Sequence, residues 1–157
     1  MTQADVADKE RIDKFEEMAK SVQAAVKRTS NMTEVFSYAV ETTAEQKGVT
    51  LAVVGFSDED VGALQSLCDE KGIRLLKPPL RGRLEDIHSA LTPADRGIAE
   101  TGTLVIDSTS EDMRIATMLS ETHVACVRRS SIESEAFDVE KFLDERLKQE
   151  RAYTAFI

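Results

Sequence analysis

Residues 49–54, Val-Thr-Leu-Ala-Val-Val, are an unbroken β-rich apolar run closed by Gly55, and a run of that kind needs cover on both faces. An alternating strand would leave one face to water; a continuous one asks for helices on each side of a parallel sheet. The segments around it supply them. Ile12, Phe15, Ala19, Val22 and Val26 recur at helical steps between Lys9 and Lys27, and Asn31 with Glu34 three residues later is an N-cap signature for a second helix ending near Gly48. After the apolar run, Ser57 with Asp60 opens a helix with the stripe Val61, Leu64, Leu67 and Cys68, closed by Gly72 before a short strand at Ile73 to Leu76.

The pattern then repeats less plainly. Lys77 to Arg83 is the one Pro- and Gly-dense stretch and reads as a loop into a short helix over Leu84 to Ala90. Thr103 to Asp107 reads as a strand, Ser108 or Thr109 as the cap of a helix over Glu111 to Leu119, and His123 to Val127 as the next strand. A last helix carries Phe137, Phe142, Leu143 and Leu147, and the chain runs out on the strand-like Tyr153 to Ile157. The expected architecture is an α/β domain of three layers, α/β/α, with a mostly parallel sheet and right-handed crossovers. All of 1–157 is expected to form one domain, with helices within 1–47 packed on it as an N-terminal segment.

Composition narrows the function. At 157 residues the chain can bury a core without disulfide or metal staples. Its net charge of −9 weighs against nucleic acid or anionic lipid as a general partner. No apolar run approaches the roughly 18 residues that span a bilayer, and Met1 to Arg11 mixes charges of both signs, so the expected location is the cytoplasm. Cys68 and Cys126 lie far apart among apolar neighbours, which reads as two buried thiols. Neither they nor His88 and His123 make a metal or iron–sulfur constellation. No dinucleotide, P-loop, zinc-protease or nucleophile-elbow motif is present.

The chemistry concentrates at Asp95-Arg96-Gly97-Ile98-Ala99-Glu100-Thr101-Gly102-Thr103, which enters Leu104-Val105-Ile106. Two glycines bracket a lone carboxylate, so the chain can turn tightly and present Glu100 beside backbone N–H groups. Glu100 is the candidate catalytic residue, and Gly97, Glu100, Thr101, Gly102 and Thr103 are candidate ligand-binding residues, together with Arg114 and His123 further on. Thr101 and Thr103 have hydroxyls to offer a carboxylate or phosphate, Arg114 a bidentate fork, and His123 a proton near neutral pH. The alternative reading is that Glu100 binds nearby backbone N–H groups and only fixes the turn, with His123 a satisfied boundary residue.

This stretch resembles the LUD-domain family, the lactate-utilisation proteins of the LutC and YkgG type. The resemblance rests on Asp95, Gly97 to Thr103, the strand that follows, Arg114, Glu121 and His123; Ser120 stands where the family usually has proline. It implies a doubly wound sheet of the group that includes ribose-phosphate and glucosamine-phosphate isomerases and CoA transferases. The function it implies is that of a subunit or accessory factor in the oxidation of L-lactate to pyruvate, working beside iron–sulfur partner proteins. No cofactor is expected in this chain itself; a small-molecule ligand and a homo-oligomer are left open. A second reading is a ligand-binding protein or an enzyme like the CoA transferases, whose Ser-Glu-x-Gly turn Ala99-Glu100-Thr101-Gly102 resembles in outline, with Glu100 as acyl acceptor. A further family signature, close to G-P-S-[RK]-T-A-D-I-E, does not occur within the 157 residues. Part of the presumed site is therefore expected to be missing from this chain.

Overall fold

Four helices end on the same local device, and it sets where the elements begin and stop. A left-handed residue lets the last carbonyls of the helix accept two reversed hydrogen bonds. The structure, a computed structural model, describes residues 2–157. Helix α1, Gln3–Ser21, starts at a capping box in which Thr2 and Asp5 satisfy each other's backbone N–H groups. It ends when Gln23 takes φ 68°, so that Ala24 N–H donates to Ala19 and Gln23 N–H to Lys20. The sequence reading placed this helix over Lys9 to Lys27. The stripe Ile12, Phe15 and Ala19 is indeed buried, but Val22 is the exposed C-cap, and the stop at Gln23 carries no glycine to mark it in the sequence.

The chain divides into two compact units. One comprises residues 28–93 and 110–126. Its four-stranded sheet has the order β2-β1-β3-β6, from β1, Thr50–Val53; β2, Arg74–Leu76; β3, Ser89–Ala94; and β6, Thr122–Val127. Strand β1 runs parallel to both β2 and β3. Helices α2, Met32–Glu45, and α3, Asp58–Lys71, pack on it through Phe36, Val40, Leu64 and Cys68 against Leu51 and Val53. Every residue of β1 is buried, as its unbroken apolar run requires. Asn31 and Ser57 cap α2 and α3 as expected. Gly72 closes α3 in the left-handed region, whereas for α2 it is Lys47 rather than Gly48 that turns left-handed. Helix α4, Glu111–Leu119, is capped by Ser110, one residue beyond the two expected caps.

Two expectations fail in this unit. No α-helix covers 84–90: a 3-10 helix occupies Arg81–Asp86, and β3 begins at Ser89. Ser89, Ala90, Leu91 and Thr92 are fully buried, yet their small and polar side chains give no β-rich apolar signal. Cys68 is buried and burial pushes its thiol up to about 11, but Cys126 is only half-buried.

The other unit comprises residues 1–27, 94–109 and 127–157, of which Met1 lies outside the described residues. Its sheet has the order β7-β4-β5-β8, from β4, Arg96–Ile98; β5, Thr103–Asp107; β7, Ile132–Glu133; and β8, Tyr153–Phe156. Strand β5 was expected to join the parallel sheet, but it runs antiparallel to β4 and β8, because the turn at 99–102 folds it straight back as a hairpin. Helix α1 covers one face, with Ile12 and Phe15 against Ala99, Leu104 and Ile132. Helix α5, Ala136–Leu147, covers the other, with Val139 and Phe142 against Ile98, Val105 and Tyr153. This α/β/α sandwich follows from the strand pleat, which sends Gly97 and Leu104 to one side and Arg96, Ile98 and Val105 to the other. Arg96 stacks its guanidinium 4.1 Å from the Phe142 ring centre. At the far end of the hairpin, Arg151 chelates the Asp107 carboxylate. Burial works to raise that carboxyl, and the bonds from Thr109 and Arg151 outweigh it, so Asp107 sits below its usual range.

Gly102 is the tightest point of this unit. Its φ is +68°, and a Cβ would stand 2.5 Å from the Ala19 nitrogen, against helix backbone that cannot step aside. Gly102→Ala should cost about 3 kcal/mol in urea unfolding. Gly62→Ala is the control: a Cβ at that helical position meets nothing within 4 Å, and helix propensity predicts a gain of up to about 1 kcal/mol. An unchanged midpoint for Gly102→Ala would mean that turn and helix separate at no cost.

Candidate functional site

Glu100 stands at the tip of the β4–β5 hairpin, whose strands pair Ile98 with Thr103 and leave 99–102 as a four-residue turn. Strand β4 also runs parallel to β7, and the turn continues that pairing: Ala99 N–H donates to the Glu133 carbonyl at 2.8 Å and Glu100 N–H to Ser134 at 3.1 Å. These N–H groups face protein carbonyls rather than a ligand. The Glu100 carboxylate goes the same way, its Oε1 accepting from Ala136 N–H at 2.9 Å. Ala136 is the first residue of α5, so Glu100 places a negative charge where the helix has unpaired donors and a positive dipole end.

The neighbours serve the turn as well. The Thr101 and Thr103 hydroxyls are 2.7 Å apart and bond to each other. A Cβ on Gly97 would lie 3.0 Å from Ile132 and 3.1 Å from the Phe15 ring. The room that the two glycines leave is thus taken up by helix α1 and strand β7.

The structure brings Gly97, Glu100, Thr101, Gly102 and Thr103 together in one hairpin. Arg114 and His123 belong to the other unit. Arg114 lies on α4, where its charge helps Arg81 hold the Glu111 carboxyl below its ordinary value, the hydrogen bond from Arg81 being the larger cause. His123 lies on β6 with Nε2 2.8 Å from the Thr92 hydroxyl, and burial lowers its pKa.

Beside Glu100 lies an open groove of about 390 Å³ that the sequence reading did not anticipate, lined by Ala7, Glu10, Arg11 and Lys14 of α1 and by Ala99, Glu100, Ser134 and Glu135. The helical share was legible in principle, since 7, 10, 11 and 14 fall on one face at steps of three and four. What hid it is that the groove's other wall, Ala99, Glu100, Ser134 and Glu135, comes from far along the chain. Arg11 pairs with Asp8 at 2.8 Å and Lys14 with Glu17 at 3.3 Å, so both cations have a carboxylate on their own helix. The Arg11 Nε–H is shielded from solvent and donates to no partner, the one such side-chain atom among the described residues. Among those residues no group of three or more His, Cys, Asp or Glu side chains is placed to hold a metal ion, and no helix is long and apolar enough to cross a membrane.

Comparison with known proteins bears on the whole arrangement. A search of curated proteins finds no match to the chain. Among solved structures, a DUF162 family protein from Deinococcus radiodurans superposes with a TM-score of 0.68 at 19% identity, over 95% of this chain and 87% of that one, which shows a shared fold. The family model of the LUD domain matches residues 12–157, a span that takes in the hairpin with Glu100 and both stretches that carry Arg114 and His123. The chain belongs to the LUD-domain family.

Proposed function

We propose that this chain is a subunit or accessory factor of L-lactate utilisation, in which L-lactate is oxidised to pyruvate, and that it works in the cytoplasm beside iron–sulfur partner proteins. The observation that supports this reading is the family match over 12–157, with the Glu100 hairpin inside it. The chemistry fits a shared task. Oxidising lactate to pyruvate removes two electrons and two protons, and an iron–sulfur cluster that accepts electrons needs about four thiolate ligands. This chain has Cys68, buried with a raised thiol pKa, and Cys126, so the acceptor belongs on a partner.

The groove beside Glu100 favours a second element of the proposal, that the chain holds a small ligand there. Glu100, with Gly97, Thr101, Gly102 and Thr103 shaping the hairpin beneath it, is the residue we assign to that site. Its carboxylate has one oxygen engaged by Ala136 N–H and the other available to a ligand hydroxyl. The contact at Oε1 fixes the carboxylate against the helix end, which suits orienting a ligand at the other oxygen. Arg114 and His123 are proposed as contributors only through their place in the family pattern.

Two experiments separate these elements. Deletion of the gene in its native host should abolish growth on L-lactate while leaving growth on pyruvate intact, and the tagged chain should co-purify with iron–sulfur proteins. Normal growth on lactate would overturn the assignment. For the ligand, thermal unfolding should shift upward with L-lactate, pyruvate, a CoA thioester or a sugar phosphate, and the responding class names the ligand. Glu100→Gln should lose that shift and, since its amide oxygen can still accept from Ala136 N–H, cost at most about 1 kcal/mol for the lost charge at the helix N-terminus. A variant that keeps the shift would place the ligand elsewhere.

A further inference from the structure

The groove beside Glu100 lies wholly within the unit formed by 1–27, 94–109 and 127–157, and its charges are unevenly engaged. Three carboxylates, Glu10, Glu100 and Glu135, line it against two cations, Arg11 and Lys14. Both cations already pair on their own helix, Arg11 with Asp8 and Lys14 with Glu17. Glu135 shares a capping box with Asp138 at the start of α5. Glu10, on the α1 wall, has no partner among the described residues. Glu100, on the hairpin wall, gives one oxygen to Ala136 N–H and keeps the other. The charge left unengaged in the groove is therefore negative, one carboxylate on each wall. A donor also stands ready. Arg11 gives Nη2 to Asp8 at 2.8 Å, but that carboxylate is 62% exposed, so the pair holds the guanidinium lightly. Its Nε–H is closed off with no acceptor, so turning the fork from Asp8 toward a carboxylate in the groove gains a bond that the present arrangement lacks.

We propose that the groove selects a free α-amino acid with an apolar side chain, in preference to the hydroxy acid of the same skeleton. This rests on the reading that the groove holds a small ligand, and is independent of the lactate assignment. An ammonium brings three donors and a positive charge to Glu10 and the free oxygen of Glu100, where a hydroxyl brings one donor and no charge. Hydrogen bonds between two charged groups are also the stronger kind. The ligand carboxylate goes to the Arg11 fork. A hydroxy acid carries a net negative charge toward two unengaged carboxylates, whereas a zwitterion carries none. The apolar side chain fills the rest of the roughly 390 Å³ against Ala7 and Ala99.

L-leucine, leucic acid and isoamylamine share one skeleton and separate the two handles. In NMR titrations of the whole chain, L-leucine should bind about tenfold more tightly than either of the others, the margin of one charge-assisted contact. It should also move the Arg11 Nε–H signal, which isoamylamine leaves in place. Glu10→Gln, at an exposed position with no partner to lose, should weaken leucine and spare leucic acid. Leucic acid or isoamylamine binding as tightly as leucine overturns the selection and leaves the groove as a ligand site. So does leucine binding that Glu10→Gln does not weaken. If none of the three binds while lactate, pyruvate, a CoA thioester or a sugar phosphate shifts unfolding through Glu100, the amino acid is again overturned and the groove kept. Silence from every compound overturns both. The ranking of the three compounds on the wild-type chain decides even where a variant does not fold.

Discussion

The hairpin unit depends on one steric constraint, the contact of the 99–102 turn with the last turn of helix α1. Gly102 meets the Ala19 backbone with no room for a side chain, and Gly97, one face along, admits the Phe15 ring. The rest of the unit is fixed from there. With α1 seated, Ile12 and Phe15 close one face of the sheet over Leu104 and Ile132. The pleat then commits Ile98 and Val105 to the opposite face, where α5 covers them. Glu100 arrives at the first turn of that helix as a consequence of this packing. Its carboxylate then offsets part of the cost of unpaired helix donors, so the charge that looks catalytic in the sequence also helps to hold α5 in place.

Much of this was legible from residue pattern alone. The buried stripes of α1 and α3, the caps at Asn31 and Ser57, the left-handed Gly72 and the strand at 50–53 all follow from local rules that tertiary structure did not override. Failures cluster where a local signal was missing or carried by an unusual residue. Gln23 and Lys47 do the work that glycine usually does at a helix end, so α1 stops well short of its apolar pattern. Strand β3 is built from serine, alanine, leucine, threonine and proline, and only its burial between β1 and β6 makes it a strand. The sheet membership of β5 was hidden for another reason. A strand followed by a helix reads as a parallel crossover, while β4 is too short to signal itself and β8, legible as a strand, lies too far along the chain to show that it pairs with β5.

The stretch around Glu100 was legible as a turn, and its partners were not. The five hairpin residues do gather, because contiguity guarantees it. What sequence could not show is that the backbone N–H groups of Ala99 and Glu100 were already assigned to Glu133 and Ser134. Nor could it show that the open space beside the carboxylate is walled by α1. Those are pairings across more than thirty residues in one direction and nearly ninety in the other, and no local period encodes them.

The family pattern itself is divided by the fold, and this changes how its residues should be weighed. Asp95 to Thr109 falls in one compact unit, and Ser110 to Cys126, with Arg114, Glu121 and His123, in the other. In the first, the glycines serve packing and the carboxylate serves a helix end. In the second, Glu121 faces His88 and His123 faces Thr92, both across a single strand pair. Each pattern residue with a contact thus has a structural use within its own unit, before any ligand is considered. A shared pattern of this kind constrains the fold first. Chemistry has to be located by what the fold leaves unspent, and in the hairpin unit that is the second oxygen of Glu100 and the groove beside it.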